Sequence, residues 1–151
     1  MESKRVEWKR DSYRISDSRQ ELDLEMIHGF LCESYWAKGI PRTILEKSID
    51  NSLCVGLYQH NKQIGFARLI TDRATFAYLA DVFILPKHRG QGLGKWFIRT
   101  ILEHPDLQGL RRVLLATKNA HGLYEQNGFL PVKHPEWFME ILHSNIYPKP
   151  K

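Results

Sequence analysis

The sequence has few cysteines, and the two that it has form no metal-binding or disulfide pattern. Cys32 and Cys54 lie inside apolar stretches without a Cys-x-x-Cys partner, where a free thiol usually behaves as a small hydrophobic side chain. The histidines lack a ligand spacing such as His-Glu-x-x-His. These absences exclude a structural zinc site and a disulfide framework, and we predict a protein that uses no metal.

Long apolar runs and blocks of like charge are also missing. No 18 apolar residues run together, and the first ten residues mix charges without the apolar centre of a signal peptide. We therefore predict a cytoplasmic protein with no membrane partner. The chain has 22 Lys and Arg residues against 17 Asp and Glu, a net charge of +5. Because the basic residues are scattered, no nucleic-acid partner is predicted, and the positive excess can equally serve a phosphate-bearing cofactor.

The length and composition suit a single domain. Of the 151 residues 42% are hydrophobic, and a chain of this length buries roughly 70% of its unfolded surface. No repeat and no Gly/Ser/Pro-rich linker divides the sequence. We expect one domain over residues 1–151 with an ordered core at about 13–142, preceded by a solvated N-terminal end that includes Trp8.

Hydrophobic periodicity predicts helices and strands in a mixed order. Residues 13–16 alternate as a short strand, and helices are predicted at 18–34 and from Pro41 through Ile49. Alternation then predicts an antiparallel meander at 53–59, 63–71 and 75–84, whose third strand is apolar on both faces apart from Asp81. A helix at 92–103, a strand at 113–117 and a helix at 120–126 follow, and late strands at 129–132 and 137–142 close the sheet. This order predicts an α+β fold around a mixed sheet.

A glycine-rich turn follows the third strand of the meander. The stretch VFILPKHRGQGLGK, residues 82–95, combines the strand end, the turn and the start of a helix. Such a turn presents backbone N–H groups at a helix N-terminus, where they and the helix dipole bind phosphate oxygens. It is not a Walker A loop, because Arg89 stands where the first glycine is needed, and its glycines read GxGxG rather than GxGxxG. The turn therefore predicts an anion site that matches neither nucleotide motif.

Two motifs closely resemble those of the GCN5-related N-acetyltransferase (GNAT) superfamily. Arg89, Gly92 and Gly94 match motif A, R/Q-x-x-G-x-G/A, between an apolar strand and an amphipathic helix. The stretch NAHGLYEQNGF, residues 119–129, is similar to the motif B helix and its Asn-Gly-Phe ending. With the order of elements, the resemblance covers about residues 13–142. It implies the GNAT fold, a three-layer α/β/α structure with a mixed central sheet, helices on both faces and a cleft where two neighbouring strands diverge.

The resemblance also implies acetyl-CoA as the donor. The pyrophosphate is expected on the N–H groups of the glycine-rich turn, and the pantetheine arm on the backbone of residues 82–84, where an N–H would polarise the thioester carbonyl. Asn119 stands where the family often contacts pantetheine, and Tyr124 matches the motif B tyrosine that protonates the leaving thiolate. The expected donor-binding residues are Val82, Phe83, Ile84, Arg89, Gly90, Gln91, Gly92, Leu93, Gly94, Lys95, Asn119 and Tyr124.

The amine acceptor must lose a proton, since an alkylammonium ion with a pKa of about 10.4 is not a nucleophile. Asp81 is predicted to remove that proton or to bind the ammonium, and a role limited to accepting hydrogen bonds from loop N–H groups stays open. Tyr35 and Trp36 link the first two helices, where the family often builds its acceptor pocket, and they either line that pocket or cap the core. Tyr124 and Asp81 are thus the predicted catalytic residues.

The predicted function is transfer of an acetyl group from acetyl-CoA to a primary amine of a small molecule. Acetylation of a protein N-terminus or lysine, and a catalytically weak acyl-CoA-binding module, are the alternatives. The expected partner is therefore an amine acceptor, and association as a homodimer stays open.

Overall fold

Six strands form a single mixed sheet, in which they lie in the order that they follow along the chain. The structure is a computed structural model that describes residues 6–147. Its strands are β1 (Glu7–Arg10), β2 (Tyr13–Ser16), β3 (Leu53–Gln59), β4 (Lys62–Thr71), β5 (Phe76–Ile84) and β6 (Arg112–Leu115). Neighbours from β1 to β5 pair antiparallel, and β6 pairs parallel to β5. A parallel pair needs a crossover connection, and the chain makes it through a helix.

Helices cover both faces of the sheet. The described residues form α1 (Leu24–Leu31), α2 (Arg42–Asp50), α3 (Leu93–Leu102) and α4 (His121–Glu125). Ile27 of α1 and Leu45 of α2 belong to one buried cluster, whereas Phe97 and Ile101 of α3 belong to a second cluster together with Tyr124 of α4. None of the helices within residues 6–147 has the length and apolar character that a membrane crossing requires. The structure therefore has the three layers that the family resemblance implies.

A bulge at Asp81 reverses the alternation of side chains along β5. Before it, Ala77 and Leu79 belong to the cluster under α3. After it, Phe83 belongs to the cluster under α1 and α2, and its ring stacks on Phe30 with centroids 3.9 Å apart. Asp81 has a φ of +57°, and the ladder with β4 shifts register at this point. Bulges bend a strand and re-aim a side chain, and this one gives Asp81 its place in the wall of the cavity described below.

The N-terminal part of the chain differs from the prediction in two places. The helix predicted at 18–34 is shorter, because the Asp23 carboxylate caps α1 by accepting a hydrogen bond from the Met26 N–H at 3.1 Å. A separate 3-10 turn at Arg19–Glu21 precedes this cap. β1 lies where the sequence predicts a solvated end, and Trp8 packs against the core cluster under α3.

The late strands predicted at 129–132 and 137–142 are wrong. Beyond α4 the described residues contain no strand, and one 3-10 turn at Pro135–Trp137 is their regular element. A strand requires a neighbour that exchanges backbone hydrogen bonds with it, and this segment pairs with none of the six strands. Within residues 6–147 the sheet therefore ends at β6, and one edge of that strand has no strand neighbour.

Candidate active site

The strands β5 and β6 separate part-way along the sheet. Their ladder ends at the pair Leu79 and Leu115, whereas β5 continues to Ile84 and stays paired with Gly65 of β4. The backbone groups of residues 80–84 that point away from β4 therefore have no strand partner among residues 6–147. An extended ligand can add to such an edge as a further strand, as the pantetheine arm is predicted to do.

A cavity of about 540 Å³ lies where the strands separate. β5, the stretch after β6 and α4 form part of its wall, and the loop between α1 and α2 forms another part. The lining residues that matter below are Tyr35, Trp36, Arg68, Tyr78, Asp81, Lys118, Asn119, Tyr124 and Tyr147. The volume is within the range of small-molecule sites in proteins.

Asp81 is held in the cavity wall by two side chains. Arg68 Nε donates to Asp81 Oδ2 at 2.8 Å in a largely buried ion pair, and Trp36 Nε1 donates to Asp81 Oδ1 at 2.9 Å. Arg68 is fixed in turn because its Nη1 donates to Ser52 Oγ at 3.1 Å. Charge-assisted hydrogen bonds are stronger than neutral ones, so this network fixes Trp36 and Asp81 relative to each other.

Tyr124 of α4 brings a hydroxyl group to the same cavity. Its ring is buried and meets the Phe129 ring edge to face at 5.7 Å. Burial, with a smaller contribution from Tyr35, raises the pKa of Tyr124 to about 12. Because desolvation disfavours the phenolate, the hydroxyl keeps its proton at neutral pH and is available as a proton donor.

The glycine-rich turn connects β5 to α3. Gly92 precedes the helix with a φ of +75°, a conformation that glycine adopts without strain. The first hydrogen bond of the helix runs from the Trp96 N–H to the Gly92 carbonyl, and no side chain caps this end. The N–H groups of residues 93–95 therefore have no acceptor within the helix. A β-carbon added to Gly92 would meet no atom within 4 Å, so the space beside this residue is open to a ligand.

The turn is also cationic. Lys87, Arg89 and Lys95 are exposed, and residues 86–95 contain no acidic side chain. Arg89 is tied to the end of β5, since its Nε donates to the Ile84 carbonyl at 2.9 Å. Unpaired N–H groups, the positive end of a helix dipole and nearby cations together suit a pyrophosphate.

The sequence profile of the acetyltransferase (GNAT) family matches residues 7–129, which include all six strands and all four helices described above. The chain belongs to the GNAT family. An acetyltransferase of Gibberella zeae is 34% identical over 143 residues, 80% of each chain. The crystal structure of a GNAT acetyltransferase from Xanthomonas campestris pv. campestris is 46% identical, with a TM-score of 0.87, and covers 91% of this chain and 97% of that one.

A further relative of this GNAT protein carries a more specific name. The ribosomal protein bS18-alanine N-acetyltransferase of Haemophilus influenzae is 28% identical over 120 residues, which are 76% of this chain and 73% of that one. Together with the family match, these relatives confirm the predicted GNAT fold and the predicted acetyltransferase activity.

The predicted site residues of this GNAT protein fall into two groups in space. The acceptor and catalytic candidates line the cavity, together with part of the donor set: Tyr35, Trp36, Asp81, Val82, Asn119 and Tyr124. Residues 89–95 lie outside the cavity lining, on the turn beyond the end of β5. Within the turn, Gln91 is tied to β2, because the Tyr13 hydroxyl donates to its Oε1 at 3.0 Å. The Leu93 side chain is buried, so this residue can offer a ligand its backbone N–H but not its side chain.

Sequence reasoning missed Arg68, Lys118 and Tyr147. Arg68 carried a signal that could have revealed it, because it is a charged residue in the apolar run 64–70, as Asp81 is in the next strand. Lys118 precedes the predicted Asn119, and its N–H donates to the Tyr35 hydroxyl at 3.2 Å. Tyr147 gave no local signal, since only the fold brings it from the far end of the chain to the cavity.

Proposed function

We propose that this GNAT enzyme transfers the acetyl group of acetyl-CoA directly to a primary amine of a small molecule. The observation that carries the proposal is that Tyr124 and Asp81 line one cavity where β5 separates from β6. A donor whose pyrophosphate lies on the glycine-rich turn, and whose pantetheine arm follows β5, presents its thioester to that cavity.

The transfer forms one C–N bond and breaks one C–S bond. The acceptor loses its ammonium proton to solvent and attacks the thioester carbonyl carbon as a neutral amine, and a backbone N–H of residues 82–84 stabilises the oxyanion by about 3 kcal/mol. The C–S bond then breaks, and the thiolate takes the hydroxyl proton of Tyr124. The proton that the nitrogen releases returns to the tyrosinate through solvent, so the enzyme is restored.

The raised pKa keeps Tyr124 protonated but also makes it a weaker acid. At a pKa of about 12 the hydroxyl is protonated whenever the donor binds. A free thiolate in water would be too weak a base for it, but a thiolate released into the cavity loses solvation as well, and this loss raises its affinity for a proton. Burial therefore raises the pKa of both groups, and the gain in basicity of the thiolate offsets the loss in acidity of Tyr124.

Asp81 orients the acceptor amine in this proposal. Each of its oxygens already accepts one hydrogen bond, and Arg68 balances its charge, so it is placed to accept a further hydrogen bond from an amine rather than to remove a proton. The substitution Asp81→Asn is expected to raise the acceptor KM and leave the shape of the pH–rate profile unchanged. A displaced profile would instead make Asp81 the base.

The cavity supports a small acceptor. Its walls carry the aromatic rings of Tyr35, Trp36, Tyr78 and Tyr147, which can hold the apolar and cationic parts of an amine by packing and cation–π contact. The Haemophilus influenzae relative, named for an alanine of a ribosomal protein, keeps a protein N-terminus as the second candidate acceptor.

Two measurements test the proposal. Thermal unfolding with acetyl-CoA at 100 times its Kd is expected to show about 2.7 kcal/mol of stabilisation, which raises the Tm by roughly 5–10 °C for a chain of this size. An unchanged Tm at millimolar acetyl-CoA would contradict the donor assignment.

Release of the CoA thiol is then followed with a panel of small primary amines and of peptides with free N-termini. Turnover with small amines supports the proposal, and turnover confined to peptides would replace it with protein acetylation. Binding of acetyl-CoA without turnover on either set would indicate the weak acyl-CoA-binding alternative.

A further inference from the structure

The charged side chains that line the cavity leave one positive charge without a partner. Among residues 6–147, the charged residues of the lining are Arg68, Asp81 and Lys118. Arg68 and Asp81 neutralise each other, since Nε and Oδ2 lie 2.8 Å apart in their ion pair. None of the ion pairs between described residues includes Lys118. The described wall of the cavity therefore has an excess of one positive charge.

Lys118 is held beside the cavity by two contacts with Tyr35. Its backbone N–H donates to the Tyr35 hydroxyl at 3.2 Å, and its Nζ lies 5.4 Å from the centre of the Tyr35 ring. An ammonium group within about 6 Å of a ring centre is attracted by the electrons of the ring face. Lys118 is exposed, but these contacts place its charge at the rim of the cavity, where an acceptor can reach it.

An aromatic wall connects Lys118 with Asp81. The Tyr35 ring meets the Trp36 ring edge to face, with centroids 5.0 Å apart, and Trp36 Nε1 donates to Asp81 Oδ1 at 2.9 Å. Asp81 is the residue that orients the acceptor amine in the function proposed above. The remainder of an acceptor bound there can follow the two rings, and this path ends at the Lys118 ammonium group.

An acceptor with several positive charges does not suit this distribution of charge. Each further ammonium group of a polyamine or an aminoglycoside loses water on binding and then needs an acidic partner. Asp81 is the one acidic side chain that the described residues contribute to the lining, and Lys118 would repel a second ammonium group. A carboxylate on the acceptor has the opposite effect, because it pairs with Lys118 while the amine is bound at Asp81.

We propose that the acceptor is a primary amine that also carries a carboxylate, and that Lys118 binds this carboxylate. The inference rests on the proposed function, because it names the chemical class of the small amine that is acetylated. The donor offers a second source of negative charge, since CoA carries phosphate groups and Lys118 precedes Asn119, which is expected to contact pantetheine. The experiments below separate the acceptor carboxylate from the donor phosphates.

The first test compares unbranched ω-amino acids, from glycine to 6-aminohexanoate, with the alkylamines that lack the carboxylate, from methylamine to pentylamine. Thiol release gives kcat/KM for each pair, and the ratio within a pair measures the preference for a carboxylate. We expect at least one amino acid to exceed its alkylamine about tenfold or more, because a hydrogen bond between charged groups is stronger than a neutral one. A ratio near one for every pair would overturn the proposal and leave the proposed function intact.

Substitutions of Lys118 assign the preference to this residue. Lys118→Met should lower the ratio at least about fivefold, and Lys118→Arg, which keeps the charge, should retain most of it. Lys118→Glu should reverse the preference, so that 1,4-diaminobutane becomes a better acceptor than 4-aminobutyrate. These variants should fold, because Lys118 is exposed and its hydrogen bond to Tyr35 uses the backbone. Lys38 is also exposed and lies outside the cavity lining, so Lys38→Met is the matched control and should keep the wild-type ratio.

Calorimetry measures binding apart from catalysis. The Kd for acetyl-CoA should be the same in Lys118→Met as in the wild type, and a tenfold weaker donor would assign Lys118 to the phosphates and overturn the proposal. The amines are then titrated into the complex with CoA, which has no acetyl group to transfer, and the preferred amino acid should bind more tightly than its alkylamine. Absence of turnover with every amine would contradict the proposed function, and this titration would still decide for or against a carboxylate site at Lys118.

Discussion

The glycine-rich turn can be tested by adding one methyl group to it. Gly92 has a φ of +75°, and a β-carbon there would meet no atom within 4 Å. The substitution Gly92→Ala therefore introduces backbone strain without a steric clash in the free protein. In the donor complex the same methyl group would occupy space that we assign to the pyrophosphate.

Gly109 provides a matched control. It has a φ of +77°, and its β-carbon would also meet no atom within 4 Å. It precedes β6 at the end of that strand remote from the cavity. Because the two glycines have the same backbone conformation and the same free space, Gly109→Ala should reproduce the strain of Gly92→Ala without touching the donor site.

The expected magnitudes follow from this comparison. A residue with a β-carbon in the left-handed region costs roughly 1–2 kcal/mol, so each variant should lose about that much free energy of unfolding and about 2–8 °C in Tm. Gly92→Ala should in addition raise the Kd for acetyl-CoA at least about tenfold, equivalent to 1.4 kcal/mol, whereas Gly109→Ala should leave that Kd unchanged.

Isothermal titration calorimetry with acetyl-CoA and thermal unfolding without it measure the two effects separately. The assignment of the turn would be refuted by wild-type affinity in a folded Gly92→Ala protein. It would also be refuted if Gly109→Ala weakened binding as much, since the loss would then come from general strain.

Three further predictions concern Tyr124, the His104–Asp17 pair and the cysteines. Tyr124→Phe should lower kcat about 100-fold with an unchanged Kd for acetyl-CoA, as measured by thiol release and calorimetry, and full activity would show that another group protonates the thiolate. His104→Ala should cost about 3 kcal/mol in urea unfolding, because it leaves the largely buried Asp17 carboxylate without the ring nitrogen 2.8 Å away; a loss below 1 kcal/mol would contradict this. Burial alone would raise the pKa of Asp17, but hydrogen bonds from His104 and the Val6 N–H lower it below 3.8. The stabilisation that this carboxylate contributes should therefore be complete above pH 3.8, and it should be lost as the pH falls through the lower pKa that Asp17 has in the folded protein. Burial raises the pKa of the Cys54 thiol to about 12. A thiol reagent should therefore modify the partly exposed Cys32 in native protein and both cysteines after unfolding. Rapid labelling of both cysteines in native protein would contradict the burial of Cys54.

The part of the fold that local pattern specifies was predictable. The meander β3–β5 follows from alternating apolar residues separated by polar turns, and the structure places these strands within one residue of the predicted bounds. A single charge in an apolar strand also marks Asp81, which lies in the wall of the cavity. The bulge that turns Asp81 into the wall was not predictable, because a left-handed φ at a non-glycine residue depends on contacts with the neighbouring strand.

Features that depend on distant contacts were missed. The apolar pattern of 137–142 predicts a strand, but pattern alone does not say which strand it pairs with, and the described residues 6–147 supply no partner. β1 was missed for the opposite reason, because its sequence EWKR is mostly charged and its pairing with β2 compensates for weak local preference. Arg68 and Tyr147 reach the cavity only through strand pairing and packing.

Titration of ¹⁵N-labelled protein with acetyl-CoA, followed by the backbone amide resonances, tests the location of the donor site most directly. We expect the largest shifts in residues 82–84, 89–95 and 117–124, along the separated strand, the glycine-rich turn and the stretch leading into α4. The cleft lined by Glu7, Arg14 and Tyr58 should remain unshifted. Shifts centred on that cleft, or no shifts at millimolar acetyl-CoA, would contradict the donor site proposed at the glycine-rich turn and β5.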